Sequence, residues 1–303
     1  MKRFGRPVPL SVRAPFRLDL TVDALRRLAS NVVDVVAADG TFYRALGDDR
    51  GTEVVAVRPR DATSVELRAT GGDAERWGGP VARMLGAGVD LTDWYARSRR
   101  ILWLAPLATA LRGLKPPRYP TLWEALAHAI VFQQISIHAA SAIMRRAVET
   151  LGEHVAADGI RCVTFPPPQR WLGAGDEALR GAGLSRNKIA HLRAAATAVT
   201  DATLNERELE ELSTEEVAQR LRRVRGLGPW SASVVLLRGL GRLDAFPLRD
   251  SGVARSLALV SGEMHVDQNE LLERLGSERG MLYYHLLLAR MRGLTAGAPS
   301  RLG

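Results

Sequence analysis

The sequence predicts a mainly α protein with an N-terminal α+β layer. Two observations carry that prediction: the hydrophobic period shifts from near two to near 3.6 close to residue 98, and the punctuation shifts with it, from turn clusters to isolated Pro and Gly. The division places an N-terminal domain with a small antiparallel sheet at residues 1–97 and a helical domain at residues 98–303. A chain of 303 residues is long enough to bury the core that either one large or two ordinary domains require.

From about residue 8 to 70, short β-rich runs at 32–36, 41–46, 54–57 and 64–69 are separated by "ADG", "GDDRG" and "RPRDA", which read as strands joined by turns. Between the first strand and the next, "TVDALRRLASN" carries Leu25, Leu28 and Ala29 at helical spacing, and a second helix is expected over 73–85. Beyond residue 98 the long stretch "PTLWEALAHAIVFQQISIHAASAIMRRAVETL" sets Leu122, Ala125, Leu126, Ala129 and Ile130 on one stripe, with Thr121 placed to cap it. "FPPPQ" at 165–169 and the glycines that follow it mark short helices joined by tight loops.

Composition is that of a globular chain, with 46% hydrophobic and 25% charged residues. The net charge of +9 favours a polyanionic partner, since clustered Arg and Lys gain by displacing phosphate counterions. A basic surface with no such partner fits the charge equally well. Cys162 is the single cysteine, which excludes an intrachain disulfide framework, a four-cysteine zinc site and an iron–sulfur cluster. The basic start reaches two prolines before any apolar run suited to a signal peptide, and no segment approaches ~20 uncharged apolar residues, so a cytoplasmic protein with no membrane partner is expected.

The segment "RRVRGLGPWSASVVLLRGLG", 222–241, changes character halfway. "ELSTEEVAQRLRRV" is helical, two glycines in "RGLG" cost about 1 kcal/mol each inside a helix, and Pro229 suits the first turn of a new one. The reading is helix, hairpin, helix at about 214–239. Free amides at the second helix's start would bind a phosphate, aided by Arg222, Arg223 and Arg225. An ordinary helical corner closed by a glycine cap has the same signature.

The sequel distinguishes them. "GLGPWSA" followed by "AFPLRDSGVAR", with Asp250 twenty positions after Trp230, resembles the helix-hairpin-helix DNA glycosylase superfamily. "AIVFQQIS", "FPPPQRW", "ALRGAGLSRNKIAHL", "YYHLLLARMRG" and the N-terminal layer extend the resemblance over nearly the whole chain, toward the bacterial 3-methyladenine DNA glycosylase II family. The resemblance implies helical subdomains around a cleft and a monofunctional glycosylase of base excision repair, which flips an alkylated purine such as 3-methyladenine out of double-stranded DNA and leaves an abasic site. It implies no cofactor, and the protein is expected to be a monomer.

By this resemblance Asp250 is the catalytic carboxylate, stabilising positive charge on the sugar as the glycosidic bond breaks. Read without the family, Asp250 is an N-cap for "SGVARSLALV", and the two roles are compatible. Trp230 stands where bifunctional relatives carry a Schiff-base lysine; an indole cannot form that adduct but can stack on a cationic base. Packing at the start of a buried helix, on one face with Val234 and Leu237, is its other reading. Ala24 and Val234 stand where relatives offer aromatic rings to the base, and Arg249 where they carry a second acid; these departures leave room for a glycosylase acting on hypoxanthine or an oxidised purine. Gln134, with Ile135 and Ser136 adjacent, is the candidate wedge for the gap left by the flipped base, and Gln133 reads equally as a DNA contact and as an amide capping the helix end. Gly226, Leu227, Gly228 and Ser231 join Arg222 and Arg225 as expected DNA contacts, and the carbonyls of Arg222, Val224 and Leu227 match positions that hold sodium or potassium in relatives. His128 and His138 lack metal-site partners, and His285 reads as a core histidine. A non-catalytic helix-hairpin-helix DNA-binding protein is the competing class, one that would have no need of Asp250.

Overall fold

The computed structural model describes residues 3–262 and 264–295. Strands β1 (Val8–Ser11), β2 (Asp34–Val36), β3 (Phe42–Asp48), β4 (Gly51–Pro59) and β5 (Ser64–Ala69) form one antiparallel sheet in the order β1-β5-β4-β3-β2. Period-two burial puts Phe42 and Arg44 of β3 on one face and Tyr43 and Ala45 on the other.

Helix α1 (Leu18–Arg26) begins three residues earlier and ends sooner than the expected 21–31 segment. The Asn31 side chain ends it: its Nδ2 donates to the Arg26 carbonyl and its Oδ1 accepts the Val33 and Asp34 amides, while Arg27 turns to φ 63°. Leu28 and Ala29 therefore leave the helical stripe. The second expected helix is a 3₁₀ turn, Glu75–Trp77, running into α2 (Gly78–Met84).

Helices α3 (Thr92–Ser98), α4 (Leu104–Ala110), α5 (Leu122–Val131) and α6 (Ile137–Leu151) follow. Thr121 caps α5 as expected, its side chain accepting the Glu124 amide. The stripe predicted for α5 is instead a helix buried on every side, because it runs between the sheet and α9 (Arg186–Thr200) and α12 (Pro229–Arg238). Arg44 pins α5 to the sheet, pairing at 2.5 Å with both Asp34 and Glu124. One cation between two buried carboxylates leaves Glu124 exposed to burial's penalty, which, with the Asp34 charge and against Arg44, pushes it up to about 7.

One element was missed within the helical region. Strands β6 (His154–Ala157) and β7 (Ile160–Val163) form a hairpin whose Val155, Ala157 and Cys162 cover Ala45 and Val54 on the sheet's second face. Its signal was legible: alternating apolar residues flank Asp158-Gly159, which adopt φ 44° and 84° in the turn. Burial pushes the Cys162 thiol up to about 11, which keeps it protonated.

The remaining helices are α7 (Pro168–Gly173), α8 (Asp176–Gly181), α10 (Glu206–Glu211), α11 (Thr214–Arg222), α13 (Ser251–Ser261), α14 (Gln268–Leu275) and α15 (Gly280–Met291). One core joins the sheet to α5, α9, α11 and α12; the other joins α1, α3 and α4 to α13 and α15, so each draws on both sides of residue 97. Arg238 locks them together from the end of α12: fully buried, it donates to the carbonyls of Ala24 and Leu25 and lies over Tyr119. Among the described residues no helix is long and apolar enough to cross a membrane.

Candidate active site

The hairpin forms where the sequence places it. A capping box between Ser213 and Glu216 starts α11, and α12 begins at Pro229 with Gly228 as its extended N-cap. Only one of the two glycines is required by geometry. Gly226 has φ 90°, and a Cβ there would stand 2.2 Å from the His191 ring; Gly228 has φ −86°, and a Cβ there would meet nothing within 4 Å. With Pro229 lacking an N–H, the outward amides at this helix start belong to Trp230 and Ser231, set for an anion.

The hairpin is braced from the end of α5. Gln133 Nε2 donates to the Gly226 carbonyl at 2.8 Å and to Ser231 Oγ at 2.6 Å. Lys188 of α9 closes the same helix end, its ammonium donating to the carbonyls of Val131 and Gln133. Gln133 is thus a hairpin brace, while Gln134, at φ 59°, and Ile135, 38% exposed, stand at the rim between α5 and α6 where the wedge is expected.

Asp250 borders a cleft of about 1400 Å³ that the hairpin and the α5–α6 turn also line. It caps α13: Oδ1 accepts the amides of Gly252 and Val253 at 2.7 and 3.0 Å. Its Oδ2 accepts from Trp230 Nε1 at 2.9 Å. The N-cap reading of Asp250 thus holds, and the same residue borders the cleft. The helix start favours an anion there, and the indole fixes its second oxygen. Arg249 reaches this corner in a left-handed conformation, φ 59°.

The cleft gathers Gln133, Gln134, Ile135, Gly226, Gly228, Trp230, Ser231 and Asp250. Arg222 and Arg225 are exposed on the hairpin outside it, and Leu227 is buried in the core. Ala24 and Val234 do not face a base: they are 0% and 2% exposed, packed in the two cores. Beside Trp230, the aromatic side chains Phe132 and Tyr283, unmarked by any local sequence signal, line the cleft together with Arg27. His128 is a core residue, stacked on Tyr119 at 4.2 Å and driven neutral by burial and by the Arg27 charge. His285 is likewise buried, as expected. Among the described residues no group of three or more His, Cys, Asp or Glu side chains is placed to hold a metal.

Residues 127–279 match the family model for the HhH-GPD superfamily base excision DNA repair protein. A DNA-3-methyladenine glycosylase of Bacillus subtilis is 28% identical over 171 residues, 56% of each chain. The chain spans about half the length of the curated relatives it matches. Among solved structures, the 3-methyladenine DNA-glycosylase from Archaeoglobus fulgidus superposes with a TM-score of 0.80 at 25% identity, covering 94% of this chain and 98% of that one. A Clostridium acetobutylicum 8-oxoguanine glycosylase/lyase shares the fold, with a TM-score of 0.73 at 16% identity over 92% and 93% of the two chains. The matched segment holds the brace, the hairpin and the capping aspartate, and by it the chain belongs to the HhH-GPD superfamily of base excision DNA repair proteins.

Proposed function

We propose that this protein is a monofunctional DNA glycosylase, which hydrolyses the N-glycosidic bond of a flipped alkylated purine such as 3-methyladenine in double-stranded DNA and leaves an abasic site. The observation that carries the reading is the Trp230–Asp250 pair inside the cleft. A carboxylate held by two helix-start amides and an indole cannot swing away, so its charge stays fixed as the sugar becomes oxocarbenium-like. The indole edge holds the acid, which leaves the ring face for stacking on an electron-poor base. The names of the Bacillus and Archaeoglobus relatives support the alkylpurine class.

Two further points favour hydrolysis over strand nicking. Trp230 offers no amine, and Lys188, the cleft's lysine among the described residues, is engaged by two carbonyls. On the DNA side, the hairpin amides and Arg222 and Arg225 would take phosphates. A sodium or potassium ion bridging to phosphate would be held by the Arg222, Val224 and Leu227 carbonyls. The Val224 carbonyl accepts the Leu227 amide and retains one lone pair for such an ion. Duplexes each carrying one defined lesion, scored for free base with wild type and Asp250→Asn, test the proposal: release from an alkylpurine duplex that the substitution abolishes is expected, and no release from any duplex would overturn it.

A further inference from the structure

Arg27 is a buried cation without a counter-ion among the described residues. It is 6% exposed and follows α1 in a left-handed conformation, φ 63°, which a non-glycine residue adopts only at a cost. Its guanidinium lies 4.3 Å above the centre of the Phe132 ring, Nη2 donates to the Tyr283 hydroxyl at 3.4 Å, and Nε has no hydrogen-bond partner. Among the described residues no carboxylate reaches it within ion-pair distance, whereas the adjacent Arg26 pairs with Asp23 at 2.8 Å. Burial, and the Arg27 charge after it, hold the His128 imidazole well below its usual range, so it offers Arg27 no compensating charge. The desolvation of such a group is recovered only if something in the cleft accepts its protons. Arg27, Phe132, Tyr283, Trp230 and Asp250 all border that same cleft.

Building on the glycosylase reading above, we propose that Arg27 reads the flipped base. Its guanidinium donates to the acceptor edge of a purine stacked in the cleft, and its fixed charge narrows the margin by which the pocket favours N-methylated cationic purines over uncharged, carbonyl-bearing ones such as hypoxanthine. Trp230 and Arg27 then pull in opposite directions: the indole face attracts a cationic ring, and the guanidinium repels it. A purine with a carbonyl and no charge satisfies both, stacking on one and accepting from the other.

The test measures binding, separately from turnover. Duplexes carrying a single 2′-fluoro nucleotide of hypoxanthine or of 7-methylguanine hold the glycosidic bond intact, and affinity for each is referred to the matching undamaged duplex. Arg27→Gln, which keeps a donor and loses the charge, is expected to shift the wild-type hypoxanthine-to-7-methylguanine affinity ratio about tenfold toward 7-methylguanine, and Arg27→Lys should largely keep that ratio. A ratio unmoved by Arg27→Gln, or moved toward hypoxanthine, overturns the proposal, and if Arg27→Gln fails to fold, a ratio that Arg27→Lys shifts about tenfold overturns it. Absence of base release from every unfluorinated duplex would overturn the glycosylase reading alone, since the binding ratio still tests Arg27.

Discussion

The indole nitrogen of Trp230 donates to Oδ2 of Asp250 across 2.9 Å, tying the first turn of α12 to the first turn of α13. The hairpin that would grip the DNA backbone and the acid that would act on the sugar are thereby one rigid unit. On the proposed reading substrate positioning and charge stabilisation meet at Trp230, and substitutions there would separate the two.

Trp230→Phe keeps a ring and loses the donor. A hydrogen bond to a charged group contributes about 1.5–3 kcal/mol, so kcat should fall by roughly tenfold or more with KM little changed. Trp230→Ala loses both functions and should reduce cleavage of cationic 3-methyladenine more than of neutral hypoxanthine. Steady-state kinetics on single-lesion duplexes give both comparisons; equal losses on the two bases would make the ring a packing residue.

Gly226→Ala meets the His191 ring and a left-handed backbone together. The conformation costs about 1–2 kcal/mol and the overlap about 1–3 kcal/mol, giving an expected loss of about 2–5 kcal/mol in denaturant unfolding. Gly228→Ala, where the Cβ site is open and φ is negative, should cost under about 1 kcal/mol. Similar losses at the two positions would contradict the hairpin geometry.

His285 makes stability pH-dependent. Burial pushes it down to about 4, its Nδ1 engages the Met281 carbonyl, and its ring lies 4.7 Å from Trp94. The unfolded chain takes up the proton more readily than the folded one, so the stability due to this residue is complete above about 6.5 and lost as pH falls toward 4. Between pH 7 and 5 wild type should lose about 2 kcal/mol more than His285→Leu, read from urea unfolding at each pH. Parallel pH profiles would show that this imidazole is not the titrating group.

Binding to undamaged duplex should weaken steeply with salt, because arginines and hairpin amides neutralise several phosphates. Titrations from about 50 to about 200 mM salt should show at least a roughly tenfold loss of affinity, and a flat log–log plot would contradict a basic DNA-binding face.

The helical class, the sheet's strands and the hairpin were legible because each rests on local periodicity and turn chemistry. Asp250 as a cap was legible for the same reason: "RDSG" before an apolar run is a helix start wherever it folds. What escaped depends on distant partners. Nothing local marks Arg44 or Arg238 as buried, since their compensation comes from Asp34 and Glu124 and from the carbonyls of Ala24 and Leu25. Gln133 read as a helix-end amide because its partners, Gly226 and Ser231, lie more than ninety residues away. Ala24 and Val234 stand where the resemblance puts rings against the base, but motif positions carry no information on burial, and the fold encloses both. Arg27 stood in a predicted helix and only the Asn31 turn moves it to the cleft wall.

The most direct measurement compares wild type with Asp250→Asn on a duplex bearing one 3-methyladenine. Asparagine keeps an oxygen for the Gly252 and Val253 amides, so the fold and DNA affinity should persist while the charge is lost. Base release should drop by at least about a hundredfold, the wild-type product should be an intact abasic strand cut only by alkali or heat, and borohydride should trap no covalent complex. Release by Asp250→Asn within a few fold of wild type would contradict the assignment of the reaction to this carboxylate, and a trapped protein–DNA adduct would contradict hydrolysis by a monofunctional enzyme.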